Sequence, residues 1–136
     1  LRDESTTPKP SCWKGRKILI VEEDYANFLL LHEMLACKNM QIIRAVTLNE
    51  TFELLSSSME LDLLIINTGI SGNEDGQTIH QIKSMKPTLP VLAVAGCSNT
   101  VKDHGCQSYG CDTCIGPNID GQEMVMAIND LLTPVA

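Results

Sequence analysis

The sequence predicts an α/β fold: a single doubly wound, five-stranded parallel sheet with helices on both faces. Three observations lead there. The runs Lys17–Val21 (KILIV) and Leu61–Ile66 (LDLLII) are apolar apart from Lys17 and Asp62, as strands buried on both faces of a parallel sheet must be. Each run stops at polar residues and is followed by helically spaced apolar positions, so strands and helices alternate along the chain. The 136 residues suit one domain large enough to bury its own core without disulfides.

Taken in order, residues 1–16 mix charges, Ser, Thr and two prolines and read as a linker before a domain over 17–133, with 134–136 as a tail. The chain begins with Leu, which points to excision from a longer protein. Trp13, a lone aromatic before the first strand, is expected to tuck against the domain edge. Lys17–Val21 ends in Glu22, Glu23 and Asp24, and Asp24 suits the N-cap of a helix running to about Lys38. Its apolar rows are Phe28, Leu31, Leu35 and Leu30, Met34, Cys37, a broad stripe for packing on a sheet. Lone His32 among them is expected to pack rather than ligate.

Gln41–Ala45 is a short strand, and Leu48, Phe52 and Leu55 mark a helix closed by Ser56–Ser58. The central strand ends at Asn67, followed by a turn-rich stretch to Asp75 and a helix from Gly76 onward, carrying Ile79, Ile82 and Met85 and ended by Pro87. Val91–Ala95 is the fourth strand. Gly96–Gly110 holds the weakest helix pattern, its glycines lowering helix propensity. Asp112–Ile115 is a short last strand before Gly116 and Pro117, and Met124, Ala127, Ile128 and Leu131 mark the closing helix. Right-handed crossovers favour the flavodoxin-like strand order 2-1-3-4-5. That order makes strands one and three neighbours and brings Glu22, Glu23 and Asn67 together at the carboxyl end of the sheet, where open α/β sheets bind their ligands.

Ten basic against seventeen acidic residues, a net charge of −7, argue against a nucleic-acid partner. No apolar run approaches the roughly 18 residues of a membrane span, so the expected setting is soluble and cytoplasmic, with no membrane contact. The six cysteines are expected to be reduced: no disulfide and no zinc, with Cys37, Cys97 and Cys114 largely buried as thiols. The alternative for them is a metal or redox module using Cys106, Cys111 and Cys114, since Cys111 and Cys114 have the spacing of a zinc half-site or a dithiol.

From about Lys17 to Leu132 the chain resembles a response-regulator receiver domain. KILIVEEDYANFLLLHEML is similar to that family's first strand, acidic pair and first helix, LDLLIINTGISGNEDG to its phosphoacceptor strand and loop with one residue inserted, and LPVLAVAG and YGCDTCIGP to its fourth and fifth strands. The opening, with Trp13 and Gly15 before KILIVEED, resembles receivers of Bacteroides-type hybrid sensor histidine kinases. The resemblance implies a two-component signalling domain whose chemistry is acceptance of a phosphoryl group on an Asp, aided by Mg²⁺ on the acidic pair, a Lys, and a Thr or Ser hydroxyl. Here Glu22 and Glu23 fall on the acidic pair, but Asn67 falls on the phosphoacceptor, Ala95 on the hydroxyl position and Gly116 on the Lys position. An amide is not a usable nucleophile. The resemblance therefore implies a pseudo-receiver: not an enzyme, with no cofactor beyond weak Mg²⁺ at Glu22 and Glu23. Its partner would be a protein, a histidine kinase or another signalling domain, with room for a homodimer. An active phosphoacceptor at Asp75 or Asp112 is disfavoured, because neither lies at a strand end beside the acidic pair.

Overall fold

The computed structural model describes residues 15–35, 40–70, 77–94, 110–115 and 121–132. In chain order its elements are β1 (Lys17–Val21), α1 (Tyr25–Leu35), β2 (Gln41–Ala45), α2 (Leu48–Ser56), β3 (Leu63–Asn67), α3 (Thr78–Met85), β4 (Val91–Val94), β5 (Thr113–Ile115) and α4 (Gly121–Leu132). The strands form one sheet in the order β2-β1-β3-β4-β5, every pair parallel. This is the doubly wound order expected from the alternation of apolar runs and helices.

Successive strand residues point to opposite faces, and both faces are apolar. Ile18, Ile20, Leu63, Ile65, Leu92, Val94 and Ile115 pack with Leu31 and Leu35 of α1 and Met124, Ile128 and Leu132 of α4. Leu19, Val21, Leu64, Ile66, Val91 and Ala93 pack on the other face with Leu55 of α2 and Ile79 and Ile82 of α3. The burial of β1, β3 and β4 explains why these segments carry no internal polar residue.

Helix boundaries follow local chemistry. The Asp24 carboxylate accepts from Ala26 N at 2.8 Å and Asn27 N at 3.3 Å, so Asp24 caps α1 as its position suggests. Thr47 caps α2, its Oγ1 accepting from Glu50 N, and Glu50 Oε1 reaches back to accept from Val46 N, the residue before the cap. α3 begins at Thr78, two residues later than the glycine suggested. Of the two apolar rows on α1, the first packs inward, whereas Leu30 of the second is 48% exposed. Leu31 and Leu35 take the core, and Phe28 and Met34 pack against it, so Leu30 alone of the two rows' described residues is left exposed, at the edge of the stripe. Met85 likewise lies outside the α3 stripe, exposed. His32 lies beside the Phe28 ring, centroids 5.6 Å apart, in the packing role expected.

The amino ends of two strands are tied by the same device. Lys17 N donates to Asp62 Oδ2 at 2.8 Å while Asp62 N donates to Lys17 O at 2.8 Å. Val91 N donates to Asp112 Oδ2 at 2.8 Å while Asp112 N donates to Val91 O at 2.9 Å. Each aspartate stands one residue before its strand and supplies the acceptor that the neighbouring strand's first N–H would otherwise lack. Asp62, the polar exception in its run, is thereby explained. Lys83 Nζ adds an ion pair to Asp112 at 2.9 Å.

The cysteines depart from expectation. Cys114 is disulfide-bonded and half-buried rather than a buried thiol. Cys111 keeps its thiol outside any disulfide, so the two are not bonded to each other. A strand offers neighbours from adjacent loops as well as from its own turn, and spacing along the chain does not reveal which. Cys37, Cys97 and Cys106 lie outside the described residues, as do Trp13, Asp75, Ala95, Gly116 and positions 96–109 of the stretch where the weakest helix was expected.

Two outcomes are expected. Asp112→Ala should lower stability in urea by about 1–2 kcal/mol through the lost acceptor of Val91 N, whereas Lys83→Met, which removes a partly exposed ion pair and the Lys83 Nζ hydrogen bond to Leu89 O, should lower it by about 1 kcal/mol. Burial pushes the Cys111 thiol up from 9.0 to about 11, with Asp112 adding to the rise. The unfolded chain then releases this proton first, so the contribution of Cys111 is complete below pH 9 and declines between about 9 and about 11. Its alkylation rate in the native protein, followed by mass spectrometry, should rise roughly tenfold per pH unit over the same window, as the thiolate is the nucleophile.

Candidate functional site

The carboxyl end of the sheet gathers three segments: the β1–α1 turn, the end of β3 and the end of β2. Glu22, directly after β1, is only 2% exposed. Its carboxylate accepts from Asn67 Nδ2 at 2.7 Å through Oε1 and from Asp24 N at 3.1 Å through Oε2. Asn67, the last residue of β3, accepts with its own Oδ1 from Gly69 N at 2.8 Å. This network fixes the amide orientation. Reversing it would set Oδ1 against the Glu22 carboxylate and Nδ2 against the Gly69 N–H, two like-against-like contacts in place of two hydrogen bonds.

Glu23 stands exposed beside this pair, and Asp24 serves the helix end. The structure thus brings Glu22 and Asn67 into contact, as the strand order required, and sends the other two acids of the triplet outward. Both Glu22 oxygens and both polar atoms of Asn67 have protein partners, and Nδ2 is a donor with no lone pair for a cation. A hard cation wants several oxygen ligands in near-octahedral array; here each Glu22 oxygen already accepts one hydrogen bond, and Asn67 turns a donor rather than an oxygen toward Glu22. Among the described residues no group of three or more His, Cys, Asp or Glu side chains is assembled for a metal ion. The sulfur of Cys114 is in its disulfide, and its bond is not to Cys111, so this pair forms neither a CxxC dithiol nor a ready zinc half-site.

Arg44, near the end of β2, completes the site. It pairs in register with Ile20, and its guanidinium donates to Glu22 O at 3.2 Å and Glu23 O at 3.3 Å. The same group lies 5.2 Å from the Tyr25 ring centroid and 5.0 Å from that of Phe28, and those rings stack on each other at 6.2 Å. One cation therefore holds the carbonyls of the β1–α1 turn and packs on the first aromatics of α1, an arrangement suited to the flat, weakly hydrated guanidinium. Sequence reading missed Arg44; the available signal was the lone cation of the strand QIIRA, directly after two isoleucines, which needs a partner at the strand end. Thr68, 8% exposed, was missed as well: its N donates to Val94 O at 3.0 Å and its Oγ1 to the same oxygen at 3.3 Å, extending the β3–β4 ladder past Asn67.

With this geometry in view, solved structures supply the comparison. A response regulator receiver domain from Clostridium thermocellum superposes with a TM-score of 0.76 over 86% of this chain and 94% of its own, at 15% identity. A response regulator from Chloroflexus aurantiacus gives 0.76 over 88% and 98% at 21% identity. The chain has a receiver-domain fold. A response regulator protein from Thermotoga maritima, in complex with Mg²⁺ and BeF, is similar at a TM-score of 0.73 over 86% and 99% of the two chains, with 20% identity. No protein-family profile matches the sequence, and no curated protein does. Within the receiver fold, Asn67 stands at the end of the central strand, while Asp112, one of the alternative acceptors weighed from sequence, lies at the amino ends of the strands, bonded to Lys83 and Val91 N. Asp75, the other, is outside the described residues.

The Glu22–Asn67 contact makes a direct mutational prediction. Asn67→Asp would exchange a donor at 2.7 Å from Glu22 Oε1 for a second carboxylate oxygen, so the pair must share a proton. Stability at pH 7 should fall by about 1–3 kcal/mol. Sharing raises the folded proton affinity of the variant pair above the usual carboxylate range, so the loss should be absent below about pH 4 and should appear as pH rises through the raised value. Thermal unfolding of both proteins between pH 4 and 8 reads this directly.

Proposed function

We propose that this domain is a pseudo-receiver: a two-component signalling module on the receiver fold that acts through protein contact rather than by accepting a phosphoryl group. The observation that carries the reading is the Asn67 amide, donating to Glu22 at the end of the central strand, where the resemblance places the phosphoacceptor. An amide offers no oxygen nucleophile with the character of a carboxylate. The amide also donates to Glu22 Oε1 while Asp24 N donates to Oε2, so both oxygens of the acid that would hold a cation have protein partners. In this reading Glu22 and Glu23 no longer form a working Mg²⁺ site, and any binding is weak.

The resemblance carries two further losses, Ala95 for the hydroxyl and Gly116 for the Lys. The partner we infer is another signalling protein, such as a histidine kinase. Tyr25, Leu29 and Leu30, exposed on α1 next to the site, provide apolar area for such a contact. Among the described residues no helix is long and apolar enough to cross a membrane. The setting inferred is the cytoplasmic one of a hybrid kinase or response regulator.

Incubation with a small phosphodonor and Mg²⁺, followed by intact-mass spectrometry, tests this. Wild type should gain no phosphoryl group. Asn67→Asp should label slowly at most, because nucleophile, metal and balancing cation act as a unit, and Asn67→Asp with Ala95→Thr and Gly116→Lys should label faster. A base-labile adduct on the wild-type chain would overturn the proposal.

A further inference from the structure

At the end of the sheet opposite Asn67, a cavity of about 260 Å³ opens between the segment joining α2 to β3 and the segment joining α3 to β4. Its floor is core. Leu55 and Leu89, in its lining, are 2% and 5% exposed and belong to the apolar cluster on the α2–α3 face of the sheet, with Leu61 packed against them. An apolar group entering here extends an existing core. The volume is below the roughly 300–1,000 Å³ of sites that take drug-sized ligands, which restricts the occupant to a small molecule.

The charges at the rim select its chemistry. Three ionisable side chains line the cavity: Glu60, Asp62 and Lys86. Asp62 is already used, accepting from Lys17 N at 2.8 Å and pairing with Arg16 at 3.7 Å. Among the described residues, the Lys86 ammonium and the Glu60 carboxylate have no ion-pair or hydrogen-bond partner. The backbone that carries each is fixed. Lys86 N donates to Ile82 O at 2.9 Å and Lys86 O accepts from Leu89 N at 3.1 Å, while Glu60 stands between Met59, whose N donates to Ser57 Oγ, and the anchored Asp62. One cation and one anion from neighbouring loops thus border an apolar floor. A simple anion would leave Glu60 opposed, a simple cation would leave Lys86 opposed, and an uncharged apolar molecule would use neither. A zwitterion with an apolar tail uses all three surfaces.

We propose that this cavity binds a free α-amino acid with an apolar side chain, its carboxylate at Lys86, its ammonium at Glu60 and its side chain among Leu55, Met59, Leu61 and Leu89. Both ion pairs form at a wet rim, where each contributes little, so the affinity expected is in the millimolar range. The inference goes beyond the pseudo-receiver reading and does not depend on it.

Titration with L-leucine, L-methionine or L-phenylalanine, followed by two-dimensional amide NMR, should give saturable shifts at residues 59–62 and 88–89 and none at Glu22 or Gly69. Lys86→Met and Glu60→Gln should each weaken leucine binding about two- to fivefold. Isocaproate, which lacks the ammonium, should bind more weakly than leucine and respond to Lys86→Met but not to Glu60→Gln; isoamylamine, which lacks the carboxylate, should show the reverse. Glu60 is exposed, so Glu60→Gln keeps the fold and carries the test even if Lys86→Met disturbs the end of α3. The absence of saturable shifts at these residues with all three amino acids would overturn the proposal. So would equal affinity for leucine and either analogue, or leucine binding unchanged in both variants.

Discussion

The constraint on which this structure depends is that its parallel sheet is covered on both faces. A strand in that position has no side open to water, so β1, β3 and β4 must be apolar over their length, and polar groups can stand only at the strand ends. At the amino ends the structure uses Asp62 and Asp112 to take up otherwise unpaired N–H groups. At the carboxyl ends it collects Glu22 and Asn67. The site lies where it does because the sheet interior excludes it.

What distinguishes this site electrostatically is that a buried carboxylate meets a neutral donor rather than another acid. Clusters of carboxylates at a strand end hold themselves together by binding a cation or a proton. Here the amide of Asn67 supplies the hydrogen bond, Asp24 N supplies a second, and Arg44 secures the turn that carries Glu22 through its backbone carbonyls. Glu22 thus has a protein donor for each of its carboxylate oxygens. This arrangement accounts for how an acidic triplet can be accommodated at the end of a buried strand. Exposed Tyr25 and the guanidinium stacked on it belong to the same unit, linking the site to the outer surface of α1.

Much of this was legible from the residues. The apolar runs located β1, β3 and β4, the alternation with helical spacing implied a parallel sheet, and Asp24 before an apolar helical row announced a cap. The approach of Glu22 to Asn67 followed from strand order. Readings failed where a property depends on which neighbours a loop or helix meets. Leu30 lies on the same helical row as Met34, yet Met34 packs against the core and Leu30 is left exposed, because what covers each turn depends on the neighbours it meets. Cys111 and Cys114 have a spacing that suggests a pair, yet Cys114 is bonded elsewhere, since a disulfide selects partners by separation in space rather than in sequence.

The sequence by itself determined the layers, the topology and the identity of the residue at the end of the central strand, because those follow from burial and from chain connectivity. Only the tertiary structure decided how that residue is used. The direction of the Asn67 amide, the outward turn of Glu23, and the recruitment of Arg44 from β2 to hold the β1–α1 turn each depend on groups more than twenty residues apart meeting within hydrogen-bond distance. Such meetings are set by strand register and packing, for which no local pattern carries a signal.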